Sequence, residues 1–208
     1  MTGTVVGYDP GGNGKHGLAR LAVREGAVQS VVLSTHASAE DVLATVRTDG
    51  LLAVGVDTLT CWGTGASGWR PADRWLRARY PEVRASVAAP NSLYGSMSLG
   101  GMAVLLGLRG RQPELLVTEA HPKVLCWALW HRRHDYAVEA RQMDADLGLA
   151  LGADLCSAND HEWDAAASAL AALHALLDDW PRDLHTLDPA DGGRLVHPCG
   201  PTRYVWPG

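Results

Sequence analysis

Three acidic residues of the chain each come directly after a short apolar stretch. They are Asp9, Asp57 and Glu119, which follow residues 4–8, 51–56 and 114–118. Short apolar stretches of this kind predict buried β-strands, so each acid is expected at the carboxyl end of a strand. In α/β sheets, ligands bind outside these strand ends, where loops converge. The spacing therefore predicts a cluster of carboxylates at one edge of a sheet.

Carboxylates that gather at one place repel one another strongly unless a cation lies between them. Oxygen ligands select hard divalent cations, so the predicted cofactor is Mg²⁺ or Mn²⁺. Asp164, on a predicted final helix, is expected to close the cluster from the side, and Asp9 to bridge two ions. Two such ions, about 3.5–4 Å apart, can activate a water and stabilise the departing oxygen of a phosphodiester. The sequence thus favours nuclease chemistry, with catalytic metal ligands Asp9, Asp57, Glu119 and Asp164.

Each of these acids also has a structural explanation that involves no chemistry. Asp9 stands before Pro10-Gly11-Gly12, where aspartate commonly forms a turn. Asp57 could cap the segment that follows it, and Glu119 could be a surface charge. Asp164 could be an acid that the helix dipole favours in a first turn. The metal hypothesis depends on the shared position of the first three acids, since independent turn formers need not all fall at strand ends.

The hydrophobic pattern predicts the elements that would hold these acids. The predicted strands cover residues 4–8, 18–23 and 28–34 as an antiparallel meander, then 51–56 as a central strand and 114–118. The predicted helices cover residues 39–48, capped by Ser38, then 71–80, 97–108, segments of 123–133, and a last helix from Asn159 or Asp160 to 177. Residues 58–110 are interpreted as an insertion or lid. The tail beyond Trp180 has no recognisable chemistry.

Other motifs of the sequence fail at identifiable positions. The run Gly12-Asn13-Gly14-Lys15-His16-Gly17 has the spacing of a dinucleotide-binding loop, but a strand rather than a helix is predicted after it. The same run departs from a P-loop, whose first glycine would fall on Asp9 and whose hydroxyl residue would fall on His16. Ser96 lacks the second glycine of a nucleophile elbow. The cluster over residues 131–134 is most simply a solvated helix end, although it could contact a phosphate backbone.

Length and composition limit the classes of protein that remain. The chain has 208 residues, which favours one domain at a prior of roughly 150 residues per domain. Its formal net charge of -5 argues against a protein that coats nucleic acid through bulk positive charge. The sequence has no apolar run of about 18 residues and begins with no basic leader, so we expect a soluble, cytoplasmic protein without a membrane partner. The four cysteines form no Cys-x-x-Cys pair, so buried thiols are expected rather than a zinc knuckle or disulfides.

The order of the predicted elements resembles the ribonuclease H-like fold, whose metal-binding acids come from the first strand, the fourth strand and the last helix. Asp9, Asp57 and Asp164 match those places. Five short motifs are moreover similar to those of a family of predicted ribonuclease H-like nucleases, classed as a domain of unknown function. They are Gly7-Tyr8-Asp9, Val56-Asp57, Arg70-Pro71-Ala72-Asp73-Arg74, Glu119-Ala120-His121-Pro122 and His161-Glu162-Trp163-Asp164-Ala165. The resemblance implies an α/β fold, with a mixed five-stranded sheet flanked by helices and a helical insertion at about residues 58–110 of a single domain.

The resemblance also adds candidate site residues. Arg70, Asp73 and Glu119 lie among the characteristic positions of that family, and His161 lies in the last of the motifs. This chain departs from the family in its longer loop after Asp9, where Lys15 could contact a phosphate. The candidate substrate-binding residues are therefore Lys15, Arg70, Asp73, Asn91, Ser92 and His161, although Asn91-Ser92 could equally be a turn.

Our sequence-based hypothesis is a divalent-metal-dependent nuclease that hydrolyses phosphodiester bonds of RNA or DNA. Its expected partner is a nucleic acid or nucleotide substrate. One alternative is a phosphotransferase or ATPase of the actin-like type, which needs two copies of the fold and hence a homodimer. Another is a non-catalytic binding module that keeps the acids for folding or regulation.

Overall fold

The computed structural model of the chain describes residues 1–12, 14–88, 95–189 and 192–208. Its strands are β1 (Thr2–Asp9), β2 (His16–Arg24), β3 (Ala27–His36), β4 (Leu51–Val56), β5 (Trp62–Gly63), β6 (Leu116–Glu119), β7 (Arg182–Asp183), β8 (Leu195–Val196) and β9 (Val205–Trp206). Its α-helices are α1 (Ala39–Thr45), α2 (Pro71–Arg79), α3 (Gly95–Arg111), α4 (Pro122–Trp130), α5 (Tyr136–Leu151) and α6 (Asp160–Leu177). Short 3-10 helices cover Pro81–Ser86 and Leu184–Thr186.

The five long strands form one mixed sheet in the order β3-β2-β1-β4-β6. β1, β2 and β3 are antiparallel neighbours, as the predicted meander requires, whereas β4 and β6 run parallel to β1. A parallel connection needs a crossover, and the chain from β1 to β4 uses the meander and α1 for this purpose. The expected fold class is confirmed: the sheet is ribonuclease H-like, mixed and flanked by helices.

Alternation along β1 divides the core between the two faces of the sheet. Val5 packs against α6 and α5, in a cluster that includes Trp163. Val6 and Tyr8 face the other way and pack against α1 and α3. The residues of β1 on the α6 face therefore alternate as 5, 7 and 9, which directs Asp9 toward α6.

Two glycines let α6 lie unusually close to the sheet. Gly7 and Gly55 are direct partners on β1 and β4. A Cβ built on Gly7 would lie 1.8 Å from the carbonyl oxygen of Ala165, and one on Gly55 would lie 1.8 Å from that of Ser168. Both obstacles are backbone atoms of α6, so a side chain at either position would push the helix away from the sheet.

We expect Gly55→Ala to destabilise the fold, because the added methyl group meets the backbone of α6 at Ser168. Overpacking of this kind costs about 1–3 kcal/mol, measured as the free energy of unfolding in urea. Gly110→Ala is the matched control, since a Cβ at that position of α3 meets nothing within 4 Å. Equal stability of the two variants would contradict the close approach of α6.

The helix boundaries agree with the predictions at the caps of α1 and α6, but α1 ends at Thr45 and not at Thr48, and α3 and α5 also differ. Ser38 caps α1 by accepting a hydrogen bond from the Asp41 amide at 3.1 Å, and Asn159 caps α6 by accepting one from the Glu162 amide at 3.0 Å. α3 is longer than the predicted 97–108, and α5 was not predicted. The chain between β4 and β6 forms β5, α2, the first 3-10 helix and α3. Its description as an insertion into a single domain stays a prediction.

The tail after α6 folds back onto the sheet and onto the segment before α2. β7 pairs with β9, and β8 pairs with β5. Arg203 lies alongside β6, where its amide donates to the Val117 carbonyl at 2.9 Å and its carbonyl accepts from the Glu119 amide at 2.8 Å. None of the described helices is long and apolar enough to span a membrane.

Candidate metal centre

Asp9 and Asp57 stand at the same end of two neighbouring parallel strands. Asp9 is the last residue of β1, and Asp57 follows β4 directly, with its amide donating to the Tyr8 carbonyl at 2.9 Å. Both lie two residues beyond the glycine pair that α6 covers, so both side chains are on the α6 face. Asp164 immediately precedes Ala165, the residue of α6 that contacts Gly7. The fold thus brings these three predicted ligands to one place.

Asp57 is an acid whose charge the rest of the described chain would not neutralise by contact. Its carboxylate makes no hydrogen bond or ion pair with a residue in the described ranges. Burial raises its pKa well above the usual value, the charges of Asp9 and Asp164 raise it further, and Lys123 lowers it. An acid in this environment gains most from a nearby cation.

Asp9 is 2% exposed and shares a short hydrogen bond with His161, 2.6 Å from its Oδ2 to the ring Nδ1. Burial raises the pKa of Asp9 to about 6, although the hydrogen bond from His161 lowers it. The same hydrogen bond raises the pKa of His161 above its usual value. Gly11 permits this contact, because a Cβ there would lie 2.6 Å from the His161 ring. His161, a predicted substrate-binding residue, therefore orients Asp9 in the structure.

Asp164 has a corresponding histidine that the sequence did not identify. The Nε2 of His134 lies 2.8 Å from Asp164 Oδ1, and the His134 side chain is 7% exposed. Burial lowers the pKa of His134, but the hydrogen bond to Asp164 outweighs it and raises the pKa overall. The interpretation of residues 131–134 as a solvated helix end is therefore wrong for His134. It holds for His131, Arg132 and Arg133, which are exposed.

Glu119 lies in a different set of contacts from the three aspartates. Its two oxygens accept hydrogen bonds from the Arg70 guanidinium at 2.6 and 2.8 Å, and the Thr60 amide and hydroxyl donate to Oε2. Arg70 also donates to both oxygens of Asp73, at 2.7 and 2.9 Å. The side chains of Arg70, Asp73 and Glu119 are only 1–3% exposed. These predicted site residues therefore form a buried ion network.

Electrostatics keep that network charged despite its burial. Burial raises the pKa of Glu119, but Arg70 and His185 lower it by more, so the carboxyl stays ionised far below its usual range. Burial likewise lowers the pKa of His185, while hydrogen bonds to Cys61 and Glu119 raise it to about 10. Each charge of the network thus has an opposite charge in contact, as buried ions require.

A cavity of about 230 Å³ lies between Asp57 and the ion network. Asp57, Lys123, Met97 and Ser98 are among its lining residues. Lys123 was not predicted as a site residue, yet its positive charge lowers the pKa of Asp57. Lys15 is exposed in the loop after β1. Asn91 and Ser92 lie outside the described residues.

The donor set of the aspartates fits a hard divalent cation in charge and chemistry. All its ligand atoms are carboxylate oxygens, Asp57 is unpartnered within the described ranges, and burial disfavours its charge. The carboxylates are not drawn tightly together, because no three acids among the described residues have ligand atoms all within 4.8 Å of one another. Asp9 and Asp164 each use one oxygen for a histidine, and their second oxygens make no hydrogen bond to a described residue.

The sheet order and the acids at its β1 and β4 ends define a ribonuclease H-like fold with a candidate metal centre in the usual place for α/β sheets. No family model matches the chain, and no curated protein matches it. Among solved structures, it is similar to Thermus thermophilus RuvC, with 15% identity and a TM-score of 0.42 over 84% of this chain and 96% of that one. It is also similar to T. thermophilus RuvC in complex with Holliday junction substrate, with 17% identity and a TM-score of 0.48 over 85% of this chain and 94% of that one.

Proposed function

We propose that this chain is a divalent-metal-dependent nuclease, hydrolysing phosphodiester bonds of a nucleic acid. One observation carries the proposal: Asp57 is a half-buried acid without a contact partner among the described residues, placed beside Asp9 and Asp164. A folded protein that keeps such an uncompensated charge pays for it in stability unless a ligand neutralises it. A phosphodiester brings further negative charge, which only a cation would make tolerable at this place.

Asp9, Asp57 and Asp164 would hold the ion or ions, with Mg²⁺ or Mn²⁺ the choice for oxygen ligands. When bound, such ions activate a water and stabilise the departing oxygen. His161 and His134 hold the ring protons that orient Asp9 and Asp164, each through one carboxylate oxygen. Lys123 at the cavity, and Lys15 in the loop after β1, would bind phosphate oxygens.

For Glu119 we propose a positioning role in place of metal ligation. Both of its oxygens are used by Arg70 and Thr60, and ligating an ion would break those contacts in a buried place. Arg70 and Asp73, which also line the cavity, would then hold its wall in place instead of binding the substrate. Dimer formation stays a prediction.

The test is a cleavage assay with Mg²⁺ or Mn²⁺ on labelled RNA, DNA, RNA–DNA hybrid and a Holliday junction, the substrate in the second RuvC complex. ATP hydrolysis is measured in parallel. We expect cation-dependent strand cleavage of at least one nucleic acid, and its loss with a chelator. ATP hydrolysis without strand cleavage would favour the actin-like alternative and contradict the proposal.

We expect the stability of the protein in a chelating buffer to fall as the pH rises from about 4.5 to 7. Folding raises the pKa of Asp9 from 3.8 to about 6, so its contribution is complete below 3.8 and is lost as the pH passes 6. A shift of about two units corresponds to roughly 2–3 kcal/mol. The raised pKa values of Asp57, His134 and His161 act in the same direction.

Mn²⁺ should remove most of this loss, because a cation that binds only the folded state stabilises it. Urea unfolding at several pH values, with Mn²⁺ or with chelator, measures both effects. Groups with lowered pKa values act in the opposite direction. The lowered pKa of Glu119 makes stability fall only below pH 4.5, outside the chosen range, whereas the lowered pKa values of His16, His121 and His197 act within it and reduce the net loss. Stability that climbs from pH 4.5 to 7 without cations would argue against the aspartate cluster.

A further inference from the structure

Cys61, His185 and His197 come together from three separate segments of the chain. Their ligand atoms all lie within 4.8 Å of one another, and they are the only such group of three among the described residues. Cys61 precedes β5 and His197 follows β8. Because Trp62 pairs with Val196 in that antiparallel ribbon, Cys61 and His197 occupy the next opposed positions. His185 enters from the 3-10 helix that follows β7.

We propose that these three side chains form a binding site for a borderline-soft divalent ion, Zn²⁺. This site is separate from the aspartate cluster, and the bound ion would fasten the tail to the core. A thiol with two imidazoles is a donor set that Zn²⁺ prefers and that Mg²⁺ and Mn²⁺ do not. The site is independent of the proposed nuclease activity.

The distance between the ligand atoms of Cys61 and His185 suits tetrahedral coordination. Bonds of about 2.3 Å to sulfur and 2.0–2.1 Å to nitrogen place two tetrahedral ligand atoms roughly 3.5 Å apart. The Sγ of Cys61 lies 3.4 Å from the Nε2 of His185. Three protein ligands leave a fourth position for water. Cys61 is 1% exposed and the His185 side chain 4%, so little motion of either is needed to bind.

The surrounding contacts orient the ligands as metal sites commonly require. The Nδ1 of His185 lies 3.0 Å from the carbonyl oxygen of Thr202, which can only accept, so that nitrogen carries the proton and Nε2 faces Cys61. Such a second hydrogen bond fixes the tautomer of metal-binding histidines. The Thr202 hydroxyl lies 3.4 Å from the Nδ1 of His197.

Charge also favours a divalent ion at this place. Arg70 donates to Cys61 Sγ at 3.6 Å, to Glu119 and to Asp73. To bind a metal, Cys61 must be a thiolate and His185 must lose the proton that its raised pKa retains in the metal-free protein. In that state Arg70 is the one positive group beside three negative ones, Cys61, Glu119 and Asp73, which leaves an excess of two negative charges. A divalent ion would neutralise that excess and take the position of the proton between Cys61 and His185.

The test uses Co²⁺ as a spectroscopic probe and Zn²⁺ as its competitor on the full chain freed of metal with a chelator. We expect one Co²⁺ per chain with a thiolate-to-cobalt absorption band, displaced by one equivalent of Zn²⁺. Zn²⁺ should also raise the melting temperature. Cys61→Ser should abolish the band, and His197→Gln should weaken Co²⁺ binding at least tenfold.

Two variants serve as controls. Cys156→Ser removes an exposed thiol, and Asp57→Asn removes a ligand of the proposed nuclease centre. Both should keep the thiolate band. Absence of the band from the unmodified chain, or its persistence in Cys61→Ser, would overturn the proposal. If Cys61→Ser does not fold, His197→Gln decides: undiminished Co²⁺ affinity in that variant would overturn it too.

Discussion

Asp57→Asn should lose metal-dependent cleavage while gaining stability in the absence of divalent cations. The substitution keeps the shape of the side chain but removes the charge that burial, Asp9 and Asp164 disfavour. Ligand loss that costs several kcal/mol of transition-state stabilisation slows cleavage about 10³-fold or more. Removal of the disfavoured charge should raise the free energy of unfolding at neutral pH by about 0.5–2 kcal/mol, the usual size of a stabilising single change. Cleavage rates and urea unfolding measure the two effects on the same preparations.

The matched control is Asp49→Asn, because the Asp49 side chain is 94% exposed on the loop before β4. Asp49→Asn should change neither the cleavage rate nor the free energy of unfolding by more than the experimental error. Opposite changes in activity and stability are typical of functional residues, which are kept at a cost to the fold. A drop in the stability of Asp57→Asn would instead indicate that the carboxylate is structural, and unaltered cleavage would remove it from the centre.

Glu119→Gln should be among the most destabilising single changes in this protein. It leaves Arg70, which is 1% exposed, without one of its two opposing charges. Breaking one partner of a buried ion pair costs about 3–5 kcal/mol. Mn²⁺ should not recover the loss, because the proposal makes Glu119 a support of Arg70 and not a metal ligand. Urea unfolding with and without Mn²⁺ measures this.

Glu114→Gln, at an exposed acid just before β6, is the control for a change of net charge. A double-mutant cycle with Arg70→Met gives the coupling between the partners. We expect the double variant to lose less than the sum of the single losses, since neither Arg70 nor Glu119 is left without the other. Asp73 loses Arg70 in the single Arg70→Met variant and in the double variant alike, so that loss cancels in the cycle. Additive losses would show that the contact contributes little, and rescue of Glu119→Gln by Mn²⁺ would restore Glu119 as a ligand.

The convergence of Asp9, Asp57 and Asp164 could be predicted because it follows from local rules. Strand ends can be read from short apolar stretches, alternation fixes the face, and a capped helix places Asp164 in its first turns. Those rules act over a few residues at a time. They were sufficient for the antiparallel meander of β1, β2 and β3 and for the caps of α1 and α6.

Partners that meet only in the folded chain could not be predicted in the same way. Arg70 and Glu119 are 49 residues apart, and His134 and Asp164 are 30 apart. Nothing in the local pattern of either pair selects the other. The buried charge of Arg70 therefore resembled a substrate contact, and His134 resembled a solvated residue. Cys61 and His197 likewise come together only because β5 and β8 pair in the folded chain.

Helix α5, which was not predicted, does have a recognisable sequence pattern. Met143, Leu147 and Leu151 are spaced four residues apart and form the buried stripe of α5. That spacing is typical of an amphipathic helix. The stripe is therefore sufficient to predict α5 from the sequence.

Arg203 lies beside β6 like an added strand, so the β6 edge of the sheet is covered while the β3 edge is open. At β6 the tail already occupies main-chain groups that an incoming strand would use, so self-association is hindered there. At the opposite edge, β3 offers ten residues without lysine or proline, and Val32 on it is 46% exposed. Shortening the protein ahead of Arg203 would therefore create a second open edge, so aggregation, more than lost catalysis, is the first consequence to guard against in a trimmed version.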